Sequence, residues 1–374
     1  MEALQPLSSQ AHAVRMGEPL PFGICDAEGR LLLARGQVLQ SQGQLEGLLD
    51  RGAFIYRDHA AEAVDRIRAA RPQELPRLWS ESAQQLGRVL KAQLDPHFEA
   101  SLERAARPVV ALVQRDPDMA ILQVVQPPDT PVSNYANRHA LHSAIAGQLA
   151  AQRLGWGDDA GKSLFRAALT MNLGMAELQN RLAAQVTPLT ALQRQQLHEH
   201  PQRSVEILQT AGVNDALWLQ AVAQHHERPD GKGYPRGLGD LGELALLLNR
   251  VDAFTARFSA RVIRQAMPAD AAVRQFFAAD PKSPHAAAIV KEFGLYPPGC
   301  SVRLKSGEAG IVMRRGATAT TPVVAVLTTR NGDPLMQPVK RDTQQAENAV
   351  AAVLPAAAIK VRLPVEKLVA CCAH

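Results

Sequence analysis

Aromatic side chains are scarce in this chain, 4% of 374 residues. Alanine and leucine dominate instead, so helices are expected to do most of the core building. Cysteine is scarcer still: Cys25, Cys300, Cys371 and Cys372. They contain no CxxC pair, and the vicinal pair is terminal, which argues against a disulfide framework. No run of about 18 apolar residues occurs, so no membrane span is expected. The opening MEALQPLSSQAHAVRMGEPL has no apolar stretch of signal-peptide length, and the cytoplasm is the expected location. Excess charge of one sign is also lacking. Lys and Arg number 41 against 36 Asp and Glu, a net charge of +5, with a pI near 9.2. The arginines form no dense run, so a mild preference for anionic partners is expected but no nucleic-acid stripe. Internal repeats are absent.

What is present is a globular composition, 46% hydrophobic and 21% charged, long enough for two or three domains. Residues 20–58 carry turn signals at Ala27-Glu28-Gly29 and Arg35-Gly36, a helix over Ser41–Arg51 and a strand-like AFIY. From 60 to 117 the pattern is helical. Leu86, Leu90, Leu94, Phe98 and Leu102 recur every four residues, with a break expected at Pro96 and further punctuation at Pro108 and Asp116–Asp118. This row reads as intramolecular packing in preference to a dimer face.

Helical patterns then follow at Ala140–Leu154, Ser163–Leu173, from Thr187-Pro188, Pro201–Ala211, Ala216–Glu227 and Leu241–Arg261. After Gly294 the texture becomes β. Hairpin turns are expected at Ser306-Gly307 and Asn331-Gly332, and AAIKVRL reads as a last strand of a barrel-like module. The domains read as 1–59, 60–130, 131–298 and 299–374: a mainly α protein with a helical bundle between small N-terminal and C-terminal β modules.

Chemistry concentrates in the bundle. His139 opens a helix, His200 ends one before a proline, His225 and His226 close another, and Asp252 lies inside the helix that follows. Imidazole and carboxylate are ligands for iron, manganese or zinc. Two bridged ions about 3.5–4 Å apart suit phosphodiester hydrolysis. Adjacent helical residues point about 100° apart, so His225 and His226 share one ion only if the helix is locally distorted. His142, His198 and His285 read as ordinary core or surface residues.

The string HHERPDGKGYP, His225–Pro235, resembles the signature of the HD-GYP family, bacterial proteins associated with hydrolysis of cyclic di-GMP. RHALHSAIAGQLAAQRLGW resembles that family's opening helix, with His139 in a ligand place. HEHPQRSVEIL is similar to the segment holding its HP ligand, here His200. LLLNRVDAFTARFSAR resembles the helix whose aspartate binds metal, here Asp252, with Arg261 at an arginine place. The resemblance spans roughly 133–295 and implies an HD-type helical fold. It implies metal ligands at His139, His200, His225, His226 and Asp252. Ligand or partner contacts are implied at Asp230, Gly231, Lys232, Gly233, Tyr234, Pro235, Arg236 and Arg261.

The chain departs from the family where the name-giving HD should stand, usually within HDIGK. LTMNLGMAELQ has Met171 for the histidine, Asn172 for the bridging aspartate and Met175 for the lysine; Tyr135 falls where some relatives carry a further glutamate. An amide has no charge to bridge two cations, and a thioether is a soft ligand. Losing a bridge and a cation removes several kcal/mol of transition-state stabilisation, about three decades in rate.

The expectation is one Fe or Mn ion at most, or none, and no two-metal centre. By resemblance the chain is a degenerate member that binds cyclic di-GMP, or a protein partner such as a diguanylate cyclase, without effective hydrolysis. The alternative is a metal-dependent cyclic di-GMP phosphodiesterase with a reduced site that yields pGpG or GMP. No nucleic acid and no membrane span are expected.

Overall fold

The computed structural model describes residues 4–126, 134–259 and 267–373. The chain divides into two units, Met1–Arg66 and Ile67–His374. In the first, β1 (Gln5–Pro6), β2 (Gly23–Cys25), β3 (Leu31–Leu33), α1 (Gln42–Asp50) and β4 (Phe54–Tyr56) surround a core of Leu7, Leu20, Phe22, Ile24, Leu45 and Ile55. The strands are antiparallel in the order β1-β4-β2-β3. The expected helix and the AFIY strand are found within a residue of their expected bounds. At the 27–29 turn, Asp26 Oδ1 accepts from the backbone N–H of Glu28 and Arg30.

The chain continues through α2 (His59–Ala69) to α3 (Leu75–Lys91), α4 (Phe98–Arg115) and α5 (Pro117–Val125). The four-residue row is cut as expected around Pro96. Leu86, Leu90, Phe98 and Leu102 are buried, whereas Leu94 is 77% exposed, and α3 packs on α4. Pro108, expected to punctuate, lies buried inside α4. The real break is at Asp116, whose side chain caps α5 by accepting from Met119 N at 3.0 Å.

The bundle proper contains α6 (Tyr135–Arg153), α7 (Asp158–Thr170), α8 (Ala176–Ala184), α9 (Ala191–Thr210), α10 (Ala216–Gln224), α11 (Glu243–Thr255), α12 (Ala269–Ala279) and α13 (Pro284–Phe293). The centre is α6, packed against α5, α7, α8, α11 and α13. Its small residues, among them Ala144, Ala146 and Ala150, are fully buried. They let α7 and α11 bring Leu164, Leu247, Leu248 and Val251 close. Each such side chain contributes about 1.5–3 kcal/mol on burial.

Several helix bounds differ from the sequence expectation: α6 starts at Tyr135, α7 runs Asp158–Thr170, α10 stops at Gln224 and α11 ends at Thr255. The third helix starts after Thr190, not at Thr187-Pro188, because Thr190 and Gln193 form a capping box. The same helix, α9, runs through Pro201 instead of breaking at His200.

The last element group is antiparallel: β5 (Ser301–Leu304), β6 (Ala309–Arg314), β7 (Val323–Thr328), β8 (Pro334–Asp342) and β9 (Val350–Leu354), followed by α14 (Val365–Cys372). The two expected hairpins are β5–β6 and β7–β8. The ladder order is linear, β8-β7-β6-β5-β9, leaving β8 and β9 as edges in place of barrel closure. The last strand is Val350–Leu354 and not AAIKVRL. Pro355 ends it, and Ala356–Ala358 forms a 3-10 turn. The architecture is thus a mainly α bundle flanked by small β modules.

Candidate metal centre

His200 owes its setting to the proline after it. Inside α9, Pro201 has no N–H to give to the carbonyl four residues back, Leu197 O. His200 Nδ1 lies 2.6 Å from that oxygen. A carbonyl only accepts, so Nδ1 carries the proton and donates. His225 reaches the same state by another route. Helix α10 stops at Gln224, leaving its last carbonyls without helical partners. His225 Nδ1 donates to one of them, Val222 O, at 2.7 Å. Asn249 Nδ2 then donates to His225 O at 2.8 Å, tying the segment to α11.

The end of α10 also supplies the distortion that adjacent histidines require. The His225 and His226 rings have centroids 4.1 Å apart, and His200 lies 5.1 Å from the first and 5.0 Å from the second. One ligand atom from each of the three falls within 4.8 Å of the others.

Burial first, and neighbouring imidazole second, pushes His200 and His225 down to about 3. Burial likewise lowers His226 to about 4, against an opposing pull from Asp252. All three rings are therefore neutral near pH 7. With both Nδ1 atoms protonated, the Nε2 atoms of His200 and His225 are lone pairs, and they face each other at 3.1 Å. Two acceptors at that distance repel unless a cation sits between them. Two nitrogens each about 2.0–2.1 Å from one ion, as in imidazole–metal sites, lie about 3.0–3.4 Å apart. The residues fit one metal ion, and the paired backbone carbonyls are the outer contacts that fix such ligands.

His139 and Asp252 form a separate pair. His139 Nε2 is 2.7 Å from Asp252 Oδ1. Burial opposes the charge on Asp252, but the His139 hydrogen bond and the nearby imidazoles outweigh it and hold the carboxyl well below its usual range. The carboxylate accepts, so His139 Nε2 donates. His139 Nδ1 is buried with no hydrogen-bond partner, and Tyr135 stacks on the ring at 6.1 Å.

At the divergent stretch, Met171 is fully buried in the hydrophobic core. Asn172 is buried, and its Oδ1 has no hydrogen-bond partner. Met175 is half-buried. The turn is pinned to α9: Ser204 Oγ donates to Met171 O at 2.8 Å and accepts from Gly174 N at 2.9 Å. Gly174 is required here, since a Cβ would stand 2.8 Å from His200 O.

The 227–238 loop is organised by Glu227, 1% exposed, whose carboxylate accepts from Arg236 N at 2.7 Å and Leu238 N at 2.9 Å. Gly233 passes so close that an added Cβ would stand 2.4 Å from Glu227 Cα. Asp230 turns inward on the loop, accepting from Lys232 N and pairing with Arg228. Tyr234 stacks on His226 at 4.5 Å, and His198 stacks on Tyr234 at 5.3 Å. Burial, then the Asp252 charge, raises the phenol, which stays protonated.

Lys232, Arg236 and Gly231 are exposed, while Pro235 is half-buried after a cis peptide bond. Arg261 lies outside the described residues. The structure thus brings together His200, His225, His226 and Tyr234, and pairs His139 with Asp252. Glu227, Asn249 and Ser204 were not singled out from the sequence. Glu227 stands inside the recognised string and could have been; Ser204 and Asn249 carry no local signal.

Residues 128–278 match the family described as HD domain. Over these residues the helical bundle is similar to an HD domain. It is 35% identical over 153 residues to the cyclic di-GMP phosphodiesterase PA4108 of Pseudomonas aeruginosa, covering 38% of this chain and 36% of that protein. It is 31% identical over 142 residues to the cyclic di-GMP phosphodiesterase response regulator RpfG of Xanthomonas campestris pv. campestris, covering 36% of each. It is 29% identical over 143 residues to the 3'3'-cGAMP-specific phosphodiesterase 3 of Vibrio cholerae, covering 38% and 31%. The chain thus spans about a third of the length of these relatives. The fold is shared with Bd1817, a HDG"Y"P protein from Bdellovibrio bacteriovorus, at a TM-score of 0.50 and 17% identity over 74% of this chain and 96% of that one. Among the described residues no helix is long and apolar enough to cross a membrane.

Proposed function

We propose that this HD-like domain binds cyclic di-GMP, or a protein of the cyclic di-GMP system such as a diguanylate cyclase, with hydrolysis lost or strongly weakened. The observation that carries the proposal is the uneven site. Three neutral imidazoles are set for one ion, while the position expected to bridge a second ion holds the uncharged Asn172. In this reading His200, His225 and His226 hold one Fe or Mn ion. When bound, that ion supplies positive charge toward a phosphate and acidifies water. The protein's own part is positioning. The carbonyls of Leu197 and Val222 fix two rings, Tyr234 covers His226, and Glu227 holds the loop that shapes the approach. Lys232 and Arg236 are exposed cations on that loop, placed to meet phosphate or an acidic partner.

The test is to incubate the full chain with cyclic di-GMP and Mn(II) or Fe(II) and to separate the nucleotides by chromatography, with metal analysis alongside. About one ion per chain, nucleotide binding or capture of a diguanylate cyclase, and turnover no greater than in a His225→Ala, His226→Ala control are expected. Turnover well above that control would replace the proposal with its alternative, a reduced-site cyclic di-GMP phosphodiesterase. That alternative is supported by retention of the ionised Asp252 beside His139.

A further inference from the structure

The three imidazoles of the metal centre are not held alike. His200 and His225 each donate from Nδ1 to a backbone carbonyl, Leu197 O and Val222 O. His226 has no such anchor. Among the described residues neither of its ring nitrogens makes a hydrogen bond. It is half-buried, in the turn that follows α10. A ligand ring that rotates must be frozen when the ion binds, and that ordering costs affinity.

What restrains His226 is a stack. The other two ligand rings meet it at 42° and 76°. Tyr234 lies nearly parallel to it, with planes 19° apart and centroids separated by 4.5 Å. The backbone N–H of Tyr234 donates to His226 O at 3.1 Å, which seats the loop residue on the residue that it covers. Parallel offset rings at this separation attract beyond their buried area.

Tyr234 is itself stacked by His198, at 5.3 Å and 25°. His198 reads from the sequence as an ordinary surface histidine. It is exposed on α9, two residues before His200. Among the described residues Tyr234 is its one ring contact, and it does not touch His226. Whatever His198 does for the metal centre therefore passes through Tyr234.

We infer that His198 is a positioning residue for the metal ion. It clamps Tyr234 of the 227–238 loop against α9, and the clamped phenol sets the plane of His226. Stacking thus does for the third ligand what the carbonyls of Leu197 and Val222 do for the other two. The inference rests on the one-ion reading of the site given above.

The experiment is competition of Mn(II) against a chromophoric chelator in the full chain and four variants. His198→Ala should weaken metal affinity about three- to tenfold, the size of one aromatic pair. His198→Phe, which keeps a ring but no nitrogen, should stay within about twofold of the parent. In a Tyr234→Leu chain, adding His198→Ala should change affinity by less than about twofold, because the ring through which His198 acts is gone. The metal-free His198→Ala chain should melt within about 2 °C of the parent, which separates ligand orientation from folding. Unchanged affinity in His198→Ala would overturn the inference. So would an equal loss in His198→Phe, or an equal loss with and without Tyr234. A parent chain that holds no ion would sink the one-ion reading, and this inference with it. An ion held equally by the parent and by His198→Ala, yet lost in His225→Ala with His226→Ala, would sink this inference alone.

Discussion

Replacing Pro201 by alanine should weaken metal binding without unfolding the protein. The substitution restores an N–H at the one position in α9 where its absence leaves Leu197 O to His200 Nδ1. The new N–H competes for that carbonyl, and the His200 ring loses the bond that fixes its tautomer. Loss of such an outer contact costs about 10–100-fold in metal affinity, or about 1.4–2.7 kcal/mol. Folding of the metal-free chain moves little, because two effects oppose each other. Relief of an interior helix proline gains up to about 3 kcal/mol. Against this stand the missing ring carbons at a buried site and the freer unfolded chain, together about 2–3 kcal/mol. The assay is competition of Mn(II) or Zn(II) against a chromophoric chelator, paired with urea unfolding of the chelated protein. A metal affinity within twofold of the parent would refute the claim that proline frees the carbonyl for His200, whatever the stability.

His225→Ala with His226→Ala should reduce bound metal from about one ion per chain to less than about 0.1, read by elemental analysis of the purified protein. Gly233→Ala should destabilise the chain by more than about 3 kcal/mol in urea unfolding, because its Cβ cannot stand 2.4 Å from Glu227 Cα without moving the backbone. In metal-free protein, stability should fall as pH drops from about 6.5 towards 4. The unfolded histidines take up protons there, while the folded His200 and His225, held near 3, and His226, held near 4, do not. The loss by pH 5.5 is about 1 kcal/mol for each ring, and a flat profile in thermal melts would contradict the neutral-imidazole assignment. Met171→His with Asn172→Asp and Met175→Lys should raise bound metal towards about two ions per chain; no gain would mean that His139 and Asp252 are not placed to share a second ion.

Much of this was legible in the sequence where a local pattern carries a tertiary consequence. Capping residues, turn pairs such as Asn331-Gly332, and the i, i+4 row of leucines act through neighbours in the chain. What they miss is what depends on contacts between distant segments. Leu94 completes the row on paper, yet it stands in solvent because the chain turns between Ala92 and His97. Pro201 reads as a helix end because the usual cost of an interior proline is assumed, but the side chain of the preceding histidine takes the abandoned carbonyl. The same residue that misled the boundary is thus the one that explains the site. The histidines were visible from their chemistry and the GYP string. The anchoring of their rings was not, because Asn249, Ser204 and the two carbonyl acceptors are specified only by packing.

The two halves of the site differ in which nitrogen is committed. In His200 and His225 the outer nitrogen, Nδ1, is spent on backbone and the inner Nε2 faces the other ring as a lone pair. In His139 the assignment is reversed: Nε2 is spent on Asp252, and Nδ1 is left buried without a partner. A metal ion approaching the first half meets ligands already oriented, with mutual repulsion to relieve. An ion approaching the second must first break a short hydrogen bond between a histidine and a carboxylate, leaving each to be realigned, and an anionic bridge at position 172 is what would repay that rearrangement. Asn172 offers a carbonyl dipole in its place. On the proposed reading, metal binding and bridging are separable: the backbone carbonyls of α9 and α10 orient ligands for the first, and the amide at 172 carries no charge for the second.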